Sequence, residues 1–210
     1  SNYCSGMVSR IKSQQITEEA LLAALEKTAH QAQRAGQIIQ RIRSFVKRSE
    51  PNRTPSGITG MVMEAVELAN IELRRRNVRL SHYIAARLPT LHVDPILIEQ
   101  VLVNLMKNAA ESIDHADRPL ARRSVELRVV PKQIDDQPVV EFSVADTGQG
   151  LAPEVLDRLF EAFFSTKVEG MGIGLNLCRS IIESHQGRMQ AENLYNGPEI
   201  MGCRFSFWIP

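Results

Sequence analysis

Three groups of residues in this chain have types and spacings that could do chemistry. The first is Asp146-Thr147-Gly148-Gln149-Gly150 and the second is Gly170-Met171-Gly172-Ile173-Gly174-Leu175. The third is a polar stripe, Gln100, Asn104, Asn108 and Glu111, at steps of four, four and three. Val140, Phe142 and Val144 alternate with Glu141, Ser143 and Ala145, the period of a half-buried strand. Asp146 keeps the apolar phase, so its carboxylate points into the fold where the strand ends. A buried carboxylate needs hydrogen-bond donors, and an adenine amino group could supply one. Gly148 and Gly150 allow a tight turn close to a flat ring. The second cluster runs into a helical pattern, Ile173, Leu177, Ile181 and Ile182, whose opening amides would face a phosphate chain. The amide oxygens of Asn104 and Asn108 could ligate a hard cation such as Mg²⁺, with phosphates completing its shell. Each group also has a plain reading. Paired glycines form tight turns, and asparagines can line a groove satisfied by water or backbone.

Those residues need elements to hold them. Asn104 and Asn108 sit on a predicted helix over 95–114, with Ile98, Val101, Leu105, Ala109 and Ile113 on its core face. Asp146 ends the second of two predicted strands, 124–130 and 138–146. A helix over 173–185 follows the second glycine cluster, and Cys203, Phe205, Phe207 and Ile209 mark a final strand. A helix over 58–74 and a strand through Val78, Leu80, His82 and Ile84 come earlier. Helices and strands mix without βαβ repetition, which predicts an α+β fold: a two-layer sandwich with a mixed sheet and helices on one face.

Pro51 and Pro55 set a boundary. The expected domains are therefore 1–50 and 51–210. Before the boundary, Cys4, Met7, Val8 and Ile11 have helical spacing, Gln14 and Gln15 mark a turn, and Thr17 caps a second helix. That helix carries Leu21, Leu25, Thr28, Ala32, Ala35, Ile39, Ile42 and Val46, the 3.5-residue period of a coiled coil or four-helix bundle. Two antiparallel helices cannot bury such a stripe alone, so a homodimer of hairpins is expected; packing on the chain's own globular domain is the alternative.

Composition narrows the classes. Of 210 residues, 43% are hydrophobic and 23% charged, ordinary for a soluble domain. A formal net charge of +1 argues against a nucleic-acid binder that relies on a basic surface. Cys4, Cys178 and Cys203 show no C-x-x-C spacing, so reduced thiols in a cytoplasmic protein are expected. No apolar run has the length of a membrane span, and no direct membrane contact is expected. The chain does not begin with Met and reads as part of something longer, whose full length could be membrane-anchored.

With these residues in place, a family resemblance emerges. Asn104-Leu105-Met106-Lys107-Asn108-Ala109 resembles the N box of the two-component sensor histidine kinases, and Asp146 to Gly150 their G1 box. Phe160-Glu161-Ala162-Phe163-Phe164 is similar to their F box, and Gly170 to Leu175 to their G2 box. Glu183-Ser184-His185-Gln186-Gly187 and Gly202-Cys203-Arg204-Phe205 resemble weaker family signals, so the likeness covers residues 17–210. Phe163-Phe164-Ser165-Thr166-Lys167, with Glu169-Gly170-Met171-Gly172, resembles the subgroup that senses nitrogen, oxygen and dicarboxylates.

The resemblance implies ATP and Mg²⁺ as cofactors. It assigns Asp146 to the adenine amino group, with Gly148 and Gly150 shaping that end. Asn108 would hold Mg²⁺, and Asn104 would support the ion or the phosphates. Gly172 and Gly174 would let a lid close over the triphosphate, which Ile173 and Leu175 flank. Lys167 is a further candidate phosphate contact, because many family members carry lysine where this chain has Glu111. The phenylalanines would anchor the lid or simply pack in the core. Gyrase, Hsp90 and mismatch-repair ATPases share the fold, but they place a glutamate at the position of Asn104 to activate water. Asparagine cannot take that proton.

A kinase then needs an acceptor histidine, and none of His30, His82, His92, His115 and His185 matches the family's pattern. The acceptor is expected roughly ten residues upstream of Ser1, about three helical turns. The expectation is the ATP-binding catalytic portion of a sensor kinase, feeding that histidine and then a response-regulator receiver domain. A non-catalytic ATP-binding dimerisation module and a gyrase-type ATPase are the alternatives.

Overall fold

The computed structural model describes residue 13, residues 17–46, 51–167 and 172–210. The expected first helix, the turn at Gln14 and Gln15, and Gly170 and Met171 lie outside the described residues. The chain divides into two compact units, Ser1–Arg48 and Ser49–Pro210.

In the first unit, α1 spans Glu18–Val46. Thr17 Oγ1 accepts the Ala20 amide at 3.3 Å, and Glu18 and Glu19 occupy the first turn, where negative charge suits the helix dipole. Of the expected stripe, Leu21 is half-buried, while Leu25, Thr28 and Ala32 are exposed within the single chain. Leu22 and Leu25 are each more than half exposed. The side chains of Ala35, Ile39, Ile42 and Val46 lie outside the described residues.

The second unit runs β1 (Thr54–Ser56), α2 (Ile58–Arg75), β2 (Arg79–Ile84), β3 (Leu91–Val93) and α3 (Pro95–His115). A 3₁₀ turn at Leu120–Arg122 precedes β4 (Ser124–Ile134) and β5 (Gln137–Asp146). A single helical turn, α4 (Pro153–Leu156), is followed by α5 (Gly174–Ser184), β6 (Arg188–Asn196) and β7 (Glu199–Ile209). Five strands form one mixed sheet in the order β2-β4-β5-β7-β6; β2 lies parallel to β4 and the other pairs are antiparallel. β1 and β3 make a separate two-stranded sheet.

Register explains the layers. Leu127, Val144 and Phe205 sit side by side across β4, β5 and β7, as do Val129, Phe142 and Phe207. Phe142 and Phe207 stack with centroids 4.7 Å apart. This face packs in one core with Val62, Ala69 and Leu73 of α2, Ile98, Leu102 and Leu105 of α3, and Ile182 of α5. Intervening residues such as Glu126, Arg128 and Arg204 turn away from it, so the helices cover one face of the sheet, as the apolar alternation predicts.

The strand boundaries differ from the sequence expectation. β4 and β5 continue as a hairpin through Asp135 and Asp136, whose φ values of 50° and 60° form the mirror-image turn that suits twisted strands. β6 was not expected, because its outer face is polar and its inner residues, Met189 and Ala191, are only half-buried. Among the described residues, no helix is long and apolar enough to cross a membrane.

Candidate nucleotide site

The site is assembled from the end of β5, one face of α3 and the start of α5. Asp146 is the last residue of β5 and pairs with Val125 of β4, so the strand alternation carries its side chain inward. It is 3% exposed. Its Oδ1 accepts the Gly148 amide at 2.8 Å and the Ser112 hydroxyl at 3.4 Å. Burial pushes the carboxyl up to about 6, against the pull of the Gly148 and Cys203 backbone and of Ser112. At neutral pH the group is therefore a buried anion.

The glycines of the first cluster are required by close approach. A Cβ on Gly148 would lie 2.1 Å from Ser112 Oγ, and one on Gly150, at φ +72°, would lie 2.3 Å from Ile200 Cγ2. The loop is held from outside by Arg118 and Asn193, which no sequence motif marks, and by Thr147 within it. Arg118 donates to the carbonyls of Thr147, Gly148 and Ile200 at 3.2, 3.3 and 3.4 Å. Asn193 accepts the Leu151 amide at 2.8 Å and donates to its carbonyl at 2.7 Å. Thr147 Oγ1 accepts the Ser124 amide at 3.1 Å.

α3 begins at Pro95, with Asp94 as its cap: Asp94 Oδ1 accepts the Leu97 amide at 3.3 Å. Asp94 also donates its own amide to Nε2 of buried His185 at 3.0 Å, tying this helix start to the end of α5. Further along α3, Asn104, Asn108 and Glu111 are half-buried, whereas Gln100 is exposed. Asn104 Nδ2 donates to Cys178 Sγ at 3.1 Å. Burial pushes the Cys178 thiol up to about 12, which keeps it neutral. A Cβ on Gly174 would come within 3.2 Å of Asn104 Oδ1, so the first turn of α5 lies directly beside Asn104. Ile173 precedes that turn without a side-chain cap, leaving its amides available to a ligand, and Leu175 packs against the core.

Gly172 and residues 160–167 complete the cluster. Gly172 has φ +65°, and a Cβ there would lie 2.4 Å from the backbone of Phe163 and Phe164. Phe163 donates its amide to the Gly172 carbonyl at 2.9 Å, and Asn176 Nδ2 donates to the Phe160 carbonyl at 2.8 Å. The three phenylalanines divide: Phe160 packs against the core, Phe164 lies under the Arg158 guanidinium at 4.5 Å, and Phe163 is 73% exposed. Ser165 Oγ accepts the Lys167 amide at 3.1 Å, turning the chain so that Lys167 reaches α3. There Lys167 Nζ donates to Asn108 Oδ1 at 3.1 Å and pairs with the Glu111 carboxylate. Of the residues selected from the sequence, Asn104, Asn108, Lys167, Gly172 and Gly174 thus form one contiguous set. Asp146, Gly148 and Gly150 form another, joined to the first through Ser112 on α3.

A buried carboxylate in a glycine cradle, uncapped amides and amide oxygens on one helix face fit a purine nucleotide with its phosphates. The comparisons with known proteins agree. A family model described as histidine kinase-, DNA gyrase B-, and HSP90-like ATPase matches residues 93–210. The chain belongs to this ATP-binding family. The sensor protein FixL of Bradyrhizobium diazoefficiens is 39% identical over 188 residues, covering 90% of this chain and 35% of that protein. The C4-dicarboxylate transport sensor protein DctS of Rhodobacter capsulatus is 38% identical over 182 residues, covering 87% of this chain and 26% of that protein. Full-length ShkA in complex with AMPPNP superposes with a TM-score of 0.68 at 25% identity, covering 98% of this chain and 42% of that one. The catalytic domain of histidine kinase ThkA gives 0.59 at 27% identity, covering 75% of this chain and 95% of that one. The chain spans about a third or less of the length of the two sensor proteins it matches.

Proposed function

We propose that this chain is the ATP-binding catalytic portion of a two-component sensor histidine kinase. Its work is to deliver the γ-phosphate of ATP to a histidine outside residues 1–210, for relay to an aspartate of a response-regulator receiver domain. The observation that carries the reading is Asn104. It stands beside the start of α5, where a hydrolase of this fold would need a carboxylate, and its amide is engaged by a neutral thiol. An amide cannot take a proton from water, so the phosphoryl group goes to a stronger nucleophile. FixL and DctS are named sensor proteins, and ShkA was crystallised with an ATP analogue; both facts support the assignment.

The residues take the following roles. Asp146 accepts from the adenine amino group, while Gly148 and Gly150 let the ring approach the loop. Asn108 offers its oxygen to Mg²⁺, and Asn104 steadies the phosphates beside it. Amides at Gly172, Ile173, Gly174 and Leu175 line the phosphate chain, and Lys167 adds a cation. When bound, Mg²⁺ supplies charge neutralisation of the phosphates. The protein's share is then to hold the γ-phosphate in line for attack. Residues 1–50 form the dimerisation hairpin and 51–210 the catalytic domain. The exposure of Leu22 and Leu25 on α1 supports a homodimer through that hairpin.

Calorimetric titration with a non-hydrolysable ATP analogue, with and without Mg²⁺, tests the pocket. Asp146→Asn should abolish most of the binding, and Asn108→Ala should remove its Mg²⁺ dependence. A chain extended upstream through a histidine should then form acid-labile phosphohistidine from ATP. Binding without any such transfer would replace the kinase with the non-catalytic module, and steady release of inorganic phosphate would point to a hydrolase.

A further inference from the structure

The Lys167 ammonium occupies a cation seat. Asn108 Oδ1 and the Glu111 carboxylate lie one turn apart on α3, and both hold the same Nζ, Asn108 at 3.1 Å. Asn108 is also the residue assigned to Mg²⁺. An amide oxygen beside a carboxylate is a hard oxygen pair, the donor set a divalent magnesium ion takes together with phosphates. One oxygen cannot serve an ammonium and a divalent ion at contact distance, because two positive charges would then share it. Both side chains of the ion pair remain about one-third exposed, at 37% for Lys167 and 34% for Glu111, so the pair can open without disturbing the core.

We propose that Glu111 is a metal-side residue of the nucleotide site, and that Lys167 fills the seat it forms with Asn108 until Mg·ATP arrives. Lys167 then releases Asn108 Oδ1 and Glu111 and turns toward the phosphates, whose negative charge replaces that of Glu111. Glu111 faces the incoming cation directly or through a bound water. Without a metal, Glu111 repels the phosphate chain; with one, it adds to the attraction. This inference rests on the ATP-site reading above. It adds a second protein group to the metal side and an internal cation that competes for it.

The two partners of the ion pair therefore have opposite effects on one measurable ratio: nucleotide affinity with Mg²⁺ divided by affinity without it. Glu111→Gln removes the carboxylate, so metal-free nucleotide binds more tightly and Mg·nucleotide more weakly; the ratio falls by about tenfold. Lys167→Met removes the competitor and the substitute phosphate contact, so metal-free binding weakens most and the ratio rises. A bridge that only shapes the loop would move both variants the same way.

Isothermal titration of wild type, Glu111→Gln and Lys167→Met with a non-hydrolysable ATP analogue, each with and without Mg²⁺, reads the ratio directly. Circular dichroism checks that each variant is folded. Opposite shifts support the proposal. Shifts of the same sign, or an unchanged ratio in folded Glu111→Gln, overturn it while leaving the ATP site standing. Failure of the wild-type chain to bind nucleotide at all overturns the site and this proposal together.

Discussion

Replacing Asp146 with asparagine should make the catalytic unit more stable at neutral pH while removing its nucleotide. The reason lies in the cost of keeping that carboxylate charged. Asp146 is 3% exposed, and burial outweighs three hydrogen bonds to lift its carboxyl from 3.8 to about 6. The folded state thus binds this proton more tightly than the unfolded chain does. Below about pH 4 both states are protonated and the group costs nothing. The cost grows as pH rises from 4 to 6, and it is complete above 6. At 1.36 kcal/mol per pH unit it reaches about 3 kcal/mol.

Asparagine is isosteric and neutral, and its Oδ1 can still accept from Gly148 and Ser112. Its new amide donor faces a site that had offered donors, an offset of about 1–2 kcal/mol. The net gain at pH 8 is then about 1–2 kcal/mol, or roughly 2–8 °C in Tm for a unit of this size. At pH 4.5 most of the charge cost has gone from the wild type, and Asp146→Asn should be the less stable protein. Thermal melts of both proteins in matched buffers at pH 4.5 and 8 give the difference directly, and titration with the ATP analogue gives the binding. The result that refutes the reasoning is an equal loss of stability at both pH values. That would mean the carboxylate is fully compensated in the fold, and that charge plays no part in its poise.

Other perturbations follow from the same geometry. Burial lowers the pKa of His185, whose Nε2 accepts the Asp94 amide while Nδ1 bonds the Ile181 carbonyl at 2.8 Å. Stability from this neutral ring should be present above about pH 6.5 and drain away as pH falls through the lower folded value; His185→Phe should flatten that part of a Tm-versus-pH curve. Gly172→Ala places a Cβ 2.4 Å from backbone at φ +65°, so denaturant unfolding should show a loss of about 2–4 kcal/mol, with weaker binding of the ATP analogue. Asp114 bridges Arg76 and Arg123, linking the ends of α2 and α3 to the start of β4. Burial raises its carboxyl, but the two guanidiniums leave it below the ordinary value. Asp114→Ala should cost about 1–3 kcal/mol, because Arg123, whose Nε has no hydrogen-bond partner, loses its counter-charge.

What could be read from the sequence followed from periodicity. The alternation through Phe142 and Val144 put Asp146 inside, and the register opposite Val125 does so in the fold. The spacing of Ile98, Val101 and Leu105 likewise oriented α3, which aimed Asn104 and Asn108 beside the core. β6 was missed because Asn193, a polar residue in the inward phase, and Leu194 after it break its alternation, and its pairing with β7 supplies the order that its own pattern lacks. Ser112, Arg118 and Cys178 were missed for a different reason. Their contacts to Asp146, to Thr147 and to Asn104 span 34, 29 and 74 positions, and nothing local distinguishes a serine or arginine that will hold a loop from one that will meet water.

Lys167 shows how the two kinds of information meet. Its position between the F-box phenylalanines and the second glycine cluster suggested a phosphate contact, while an ordinary loop lysine would be solvated. In the fold its ammonium is held on α3. It reaches across 59 positions to Asn108 and 56 to Glu111, because Ser165 turns the chain back toward α3. A cation at that point reconciles two facts that sit awkwardly apart. Glu111 puts negative charge beside an expected phosphate site, and Asn108 offers a half-buried oxygen that needs a hydrogen-bond donor. Lys167 meets both within the chain, and on the proposal above nucleotide and metal enter by exchange with it. That exchange makes Mg²⁺ dependence the property most sensitive to Glu111, a residue that contact with ATP alone would not have selected.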